Sequence, residues 1–159
     1  MQKIVPHLWF DKEALEAAEL YISLFENSKL NGTTVLPDTP SGDTMIVDFD
    51  LAGINFNAIS AGPYFKFNPS ISLMIACKDK EEVNRLYNTL IEGGKDLMPL
   101  DDYPFSHWYA WIEDRYGLTW QLMLNEEYET TPRIRPVLLF AGEALGKAED
   151  FIKASLSVF

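Results

Sequence analysis

Apolar and polar positions alternate with period two from Lys3 to Phe10, where Ile4, Pro6, Leu8 and Phe10 interleave with Val5, His7 and Trp9. That alternation, apolar on both faces, predicts a strand buried on one side and partly covered on the other. Pro6 sets it at an edge or a strand start, because proline has no N–H to give a ladder. The period then lengthens. Ala14, Leu15, Ala18, Tyr21, Ile22 and Phe25 recur every three or four residues, which predicts an amphipathic helix capped by Asp11 and ending near Asn27. Strands are expected at Lys29 to Leu36, Thr44 to Leu51 and Ile54 to Ser60, separated by the turn signals Pro37-Asp38, Ser41-Gly42-Asp43 and Ala52-Gly53. Residues 1–62 thus read as one βαβββ unit.

The order repeats over residues 63–124, after the Gly62-Pro63 break and an aromatic loop of Tyr64, Phe65 and Phe67. Ile71 to Cys77 reads as a strand and Asp79 to Gly93 as a helix with Val83, Leu86, Leu90 and Ile91 inward. Weaker strands follow at Lys95 to Leu100, Trp108 to Glu113 and Leu118 to Leu124. Asp11-Lys12-Glu13 recurs as Asp79-Lys80-Glu81, and Gly53 to Asn57 aligns with Gly117 to Gln121. Beyond a polar linker, 125–132, a third echo appears. At a constant offset of 130, Ile4, Pro6, Leu8, Phe10, Glu13, Ala14, Leu15, Ala18, Glu19 and Ile22 are matched by identical residues from Ile134 to Ile152, ten identities in nineteen positions. An offset of 134, pairing Ser23 and Phe25 with Ser157 and Phe159, fits the helix as well, so its register is open by one turn. Residues 133–159 form a strand and a helix without the three strands that should follow, so their apolar stripe is expected to dock on this domain or on another subunit.

Composition narrows the partners. The 159 residues carry 24 acidic and 13 basic side chains, a formal charge of −11, and a field of that sign repels phosphate backbones and anionic lipid surfaces. Nucleic acid and membrane are therefore not expected as partners. One cysteine, Cys77, makes no internal disulfide, and with two histidines it builds no thiolate zinc site. Without a signal-like N-terminus or a membrane-length apolar run, a cytoplasmic location is expected.

Two βαβββ units carrying IVPHLWFDKEALEAAELYISLFENSKL, AGPYFKFNPSISLMIACKDKEEV and YGLTWQLML resemble the vicinal oxygen chelate superfamily of glyoxalases, bleomycin-resistance proteins and extradiol dioxygenases. Within it, the chain resembles the PhnB-like branch, also described as 3-demethylubiquinone-9 3-methyltransferase-like. The resemblance implies an α+β fold in which paired βαβββ units curl a mixed sheet into an open cup with helices outside and a small-molecule cavity inside. The third echo is similar to the opening strand and helix of a second domain in tandem members.

Metal-using relatives place His, Gln or Glu at four strand positions, which the resemblance maps onto Val5, Asn57, Ser72 and Gln121. Valine cannot ligate, and amides and a hydroxyl are weak uncharged donors for a transition metal. No G-x-G turn for a nucleotide-like methyl donor is present either. No metal and no cofactor are therefore expected. The expected pocket gathers Val5, His7, Trp9, Asn57, Ser72 and Gln121, with Phe65 and Phe67 on a lid-like loop. His7 is the catalytic candidate, since histidine is the usual general base, or else a hydrogen-bonded strand histidine. Asn57 and Gln121, related by the repeat, are expected to face each other across the cavity and orient a polar ligand, or to bond each other.

Other residues carry two readings each. Asp48 and Asp50 share one side of a strand, as paired acids or as a solvated face, and Cys77 stands at a helix entrance, as an activated thiol or a small buried hydrophobe. His107 falls at the cavity mouth or in solvent. The expected function is metal-independent binding of a small molecule by a homodimer. The alternatives are an enzyme of the superfamily, of lyase, isomerase or dioxygenase type, with His7 as base or with a metal held in an unfamiliar shell, and a protein that sequesters a cationic drug.

Overall fold

The computed structural model describes residues 4–125, 127–128 and 133–158. Expectations for Lys3, Phe159 and residues 126 and 129–132 of the linker fall outside them. The first unit runs β1 (His7–Phe10), α1 (Ala14–Leu24), β2 (Lys29–Thr39), β3 (Gly42–Leu51) and β4 (Ile54–Ser60). The second runs β5 (Ile71–Cys77), α2 (Lys80–Leu90), β6 (Lys95–Tyr103), β7 (Ser106–Glu113) and β8 (Thr119–Leu124), and the third echo supplies β9 (Ile134–Leu138) and α3 (Ala148–Val158). The fold is α+β, built of paired βαβββ units whose strands form two open mixed sheets, ordered β1-β4-β3-β2 and β6-β7-β8-β5-β9.

Local chemistry explains most boundaries. Asp79 caps α2 by accepting the Glu82 N–H at 2.8 Å, while the Glu82 carboxylate accepts the Lys78 N–H at 2.9 Å, a reciprocal cap readable in the sequence. Asp11 does not cap α1. The N-cap position is Glu13, whose side chain makes no cap bond, and the Ala14 N–H donates instead to Ser60 Oγ at 3.1 Å. A hydroxyl from β4 supplies what a local cap would have supplied, and strand propensity alone could not announce it. β1 begins at His7 rather than Lys3. The Pro6 carbonyl still accepts the Asn57 N–H at 3.0 Å, but the proline cannot continue the ladder as a donor. Between β3 and β4, Ala52 and Gly53 both take positive φ, 49° and 79°, the paired left-handed geometry of a tight hairpin.

Alternation decides which faces are covered. Leu8, Phe10, Val47, Phe49, Phe56 and Ala58 of the first sheet pack with α1, and Leu73, Ile75, Trp120 and Leu122 of the second pack with α2, all within one buried cluster. The seam between the units is aromatic and acidic. Tyr21 of α1 meets Trp120 of β8 edge-on at 4.9 Å, and Phe25 stacks on the same indole at 6.4 Å. Beneath them Asp114 accepts four hydrogen bonds, from the Tyr21 hydroxyl (2.7 Å), the Trp120 indole (2.8 Å) and the backbone N–H groups of Tyr116 (2.9 Å) and Leu118 (3.0 Å). Each sheet therefore turns one face to a shared core and helices, and presents its other face away from it.

β9 and α3 answer the register question in two parts. The helices α1 and α3, both eleven residues long, are related by 134, whereas β9 begins at Ile134, the counterpart of Ile4 at the offset of 130 and three residues before that of His7. A 3-10 turn at Gly142–Ala144 takes up the extra residues. β9 adds antiparallel to β5, while no residue of α3 is buried and Phe151, Ile152, Leu156 and Val158 are exposed.

Candidate functional site

The faces turned away from the core carry the expected site residues, divided between the two sheets. On the first sheet, register sets His7 beside Asn57 and Asn57 beside Asp48, a row across β1, β4 and β3. Val5 and His7 are exposed. No hydrogen bond among the described residues joins the His7 or Asn57 side chain to another. Asp48 and Asp50 are bridged by two amides, Asn31 donating to both at 3.0 Å and Asn55 at 2.7 and 3.2 Å. Those donors, with Lys29 at 3.7 Å from Asp50, hold the Asp50 carboxyl below its usual range.

On the second sheet the corresponding residues are tied together. Gln121 donates to Ser72 Oγ at 2.6 Å and accepts the Tyr109 hydroxyl at 2.8 Å, so both ends of its amide are fixed. Burial pushes the Tyr109 phenol up to about 12, keeping it a neutral donor. Register continues the row through Arg135, Met74, Gln121, Trp111 and Met98. The Trp111 indole N–H is buried without a hydrogen-bond partner among the described residues.

Asn57 and Gln121 stand on different sheets, and no hydrogen bond among the described residues joins their side chains. Their strand neighbours Phe56 and Trp120 are both buried in the shared core, so by alternation each amide lies on the face of its own sheet turned away from that core. The repeat identified them as equivalents, and equivalence in sequence does not fix how two sheets are turned.

Trp9, Phe65 and Phe67 do converge. They line a hollow of about 360 Å³ with Asp11, Lys66 and Tyr116, and Trp9 packs edge-on to Phe65 at 4.9 Å while its indole donates to the Gly62 carbonyl at 2.9 Å. Phe67 packs on Phe10 at 5.1 Å, whereas Phe65 stays 66% exposed. A larger hollow of about 680 Å³, unforeseen from sequence, opens between the end of α1 and the start of α2. Of its cations, Arg85 donates to the Leu24 carbonyl at 3.2 Å, and Arg133 pairs with Glu82 beside the rings of Phe25 and Tyr128.

Two further candidates are settled by surroundings. Cys77 is buried, which pushes its thiol up to about 12 and removes the activated-thiol reading. His107 is in solvent, its Nδ1 3.4 Å from an Asp102 oxygen. Tyr109, Trp111, Asp48 and Arg135 belong to these faces, Asp48 being one of the two acids that the sequence offers as a pair or as a solvated face. Strand alternation around Gln121 and Asn57 was the available signal for the first three.

The chemistry of the donors bears on metals. Val5 has no lone pair to offer, Asn57 and Gln121 are neutral amides, and the Ser72 hydroxyl and Gln121 amide already satisfy each other. Among the described residues no three His, Cys, Asp or Glu side chains gather to hold an ion. This set does not fit a transition metal.

The family model described as 3-demethylubiquinone-9 3-methyltransferase matches residues 2–123. The chain belongs to this family. Among solved structures, the PhnB protein of Bacillus cereus is 35% identical, with a TM-score of 0.72 over 78% of this chain and 100% of that one. The protein PA1353 of Pseudomonas aeruginosa is 26% identical, with a TM-score of 0.63 over 79% and 98%. A glyoxylase/bleomycin resistance protein/dioxygenase domain from Frankia sp. EAN1pec, 15% identical with a TM-score of 0.55 over 79% and 99%, shares the fold. No curated protein matches the chain. The family match ends before β9, so β9 and α3 lie outside it.

Proposed function

We propose that the protein binds a small organic molecule without a metal, between the outward face of the first sheet of one copy and that of the second sheet of another. The observation that carries this reading is the division of the site. One face bears Val5, His7, Trp9 and Asn57, the other Ser72, Gln121 and Tyr109, and each lacks a second wall in its own chain. A second copy, related by a two-fold axis, supplies both missing walls at once. Gln121, fixed by Ser72 and Tyr109, presents a pre-oriented amide edge, and Trp9 with Phe65 offers an aromatic surface to an apolar or planar group. The uncharged donor set supports metal independence, and a free buried Cys77 suits a reducing cytoplasm.

Native mass spectrometry of protein purified without added metal tests this reading. A dimer with an organic adduct that disappears in Gln121→Ala is expected. One divalent ion per subunit, lost on mutation of His7 or Gln121, would show the reading wrong.

The row of His7, Asn57 and Asp48 favours a second reading, an enzyme of the same superfamily with His7 as general base. Its signature is a His7→Ala protein that still binds a substrate it no longer turns over.

A further inference from the structure

The edge of β5 is occupied by a strand that copies β1. From Ile134 to Phe140, four of seven positions repeat Ile4, Pro6, Leu8 and Phe10. The copying extends to the direction in which the backbone bonds. Arg133 O accepts the Ala76 N–H at 3.0 Å and Leu139 N–H donates to Ser70 O at 2.8 Å, so the odd-numbered residues of β9 bond β5. In β1 the even-numbered residues bond β4, through Pro6 O to Asn57 N–H at 3.0 Å and Phe10 O to Ala61 N–H at 3.1 Å. Alternate residues of a strand bond to opposite sides, so the N–H and C=O groups of His7 and Trp9 point to the outer side of β1, the last strand of its sheet. These are the counterparts of Val137 and Leu139, residues of the same odd set that bonds β5. Pro136, paired with Leu73, turns its missing N–H away from β5, and Pro6 in that seat would do the same.

We propose that the β5 edge is a shared seat, held in cis by β9 and open in trans to β1 of a second copy, so that release of β9 admits the partner and completes the site. The proposal rests on the two-copy reading above and specifies its geometry. Transferring the β9 register to β1 sets Ile4 of one copy in the slot of Ile134, which is 1% exposed where Ile4 is 60% exposed. It sets Val5 opposite Met74 and His7 opposite Ser72, at about the 5.5 Å Cα separation of a hydrogen-bonded pair. His7 and Asn57 of one chain then stand on the same face as Ser72 and Gln121 of the other. Two-fold symmetry forms the pairing twice and closes it, leaving neither β1 nor β5 as a free edge. The cis strand is five residues long, and α3 beyond it exposes its apolar side chains, so β9 holds the seat by a short ladder.

Two variants set the seat in opposite states. Ile71 and Leu138 are a non-hydrogen-bonded, exposed pair, at a spacing a disulfide accepts, so I71C/L138C locks β9 in place when oxidised and frees it when reduced. Val137→Pro removes an N–H directed at β5 and weakens the cis strand without touching β1. Sedimentation equilibrium reads the dimer constant of the full chain in each state. Oxidised I71C/L138C is expected to stay monomeric where its reduced form dimerises, and Val137→Pro to dimerise about tenfold more tightly than the parent. Equal dimer constants for the oxidised and reduced forms overturn the exchange while leaving a ligand-binding dimer standing. Failure of every form to dimerise at millimolar concentration overturns the exchange and the two-copy reading together.

Discussion

On the second sheet Gln121 is held at both ends of its amide, by Ser72 and Tyr109, and the sheet edge beside it is covered by β9. On the first sheet His7 and Asn57 share a row across β1 and β4 without a side-chain bond between them, and β1 is the terminal strand. The units have the same strand order and distribute their polar chemistry differently. A pre-oriented amide has already paid its ordering entropy and suits fixed recognition, whereas open side chains beside a free edge gain their order when a second surface arrives. The difference teaches that one face is ready for a ligand before assembly and the other becomes so through it.

The strongest way to break the comparison is to remove what holds the two units together. Asp114→Ala leaves two buried side-chain donors and two backbone N–H groups without their acceptor, and denaturant unfolding should show a loss of about 3 kcal/mol or more. Probes on both sheets should unfold together, since they share one core. A smaller effect separates the faces. Gln121→Ala should cost about 1 kcal/mol and Asn57→Ala less than about 0.5 kcal/mol, because only the first breaks hydrogen bonds made in the chain. Equal losses in thermal melts would remove the distinction between a pinned face and an open one.

Acid titration sharpens the contrast with opposite signs. Burial raises the Asp114 carboxyl against the pull of its four donors, so the folded state binds that proton more tightly than the unfolded state. Its contribution to stability is greatest below the unfolded carboxylate range and falls as pH rises through the folded value. Asp50 is lowered by Asn31 and Asn55, so its contribution is present above the unfolded range and is lost as pH falls toward the folded value. Stability measured against pH should therefore lose a declining component in Asp114→Asn and a rising one in Asp50→Asn. The smallest stability effect belongs to His7→Ala, expected within about 0.5 kcal/mol for an exposed side chain, although ligand binding should fall.

Much of this was legible in residues alone. The two periods located the strands and both helices of the paired units, and the repeat between Ile4 and Ile134 foretold the strand of the third echo. What failed did so for a physical reason. Asp11 as a cap is a statement about which group meets the first turn of α1, and a local pattern has no access to Ser60 beside Ala14, a neighbour distant in sequence. Alternation assigns a side chain to a face of its own sheet. It does not say what stands across from that face.

Co-expression of two defective chains tests the central claim most directly, one carrying His7→Ala with Asn57→Ala and the other Ser72→Ala with Gln121→Ala, followed by native mass spectrometry. Each homodimer should lack the organic adduct, while the mixed dimer, which retains one intact pair of walls, should carry a single adduct. An adduct on the homodimer of the first chain would contradict the account, because the face of the second sheet would then bind its ligand alone.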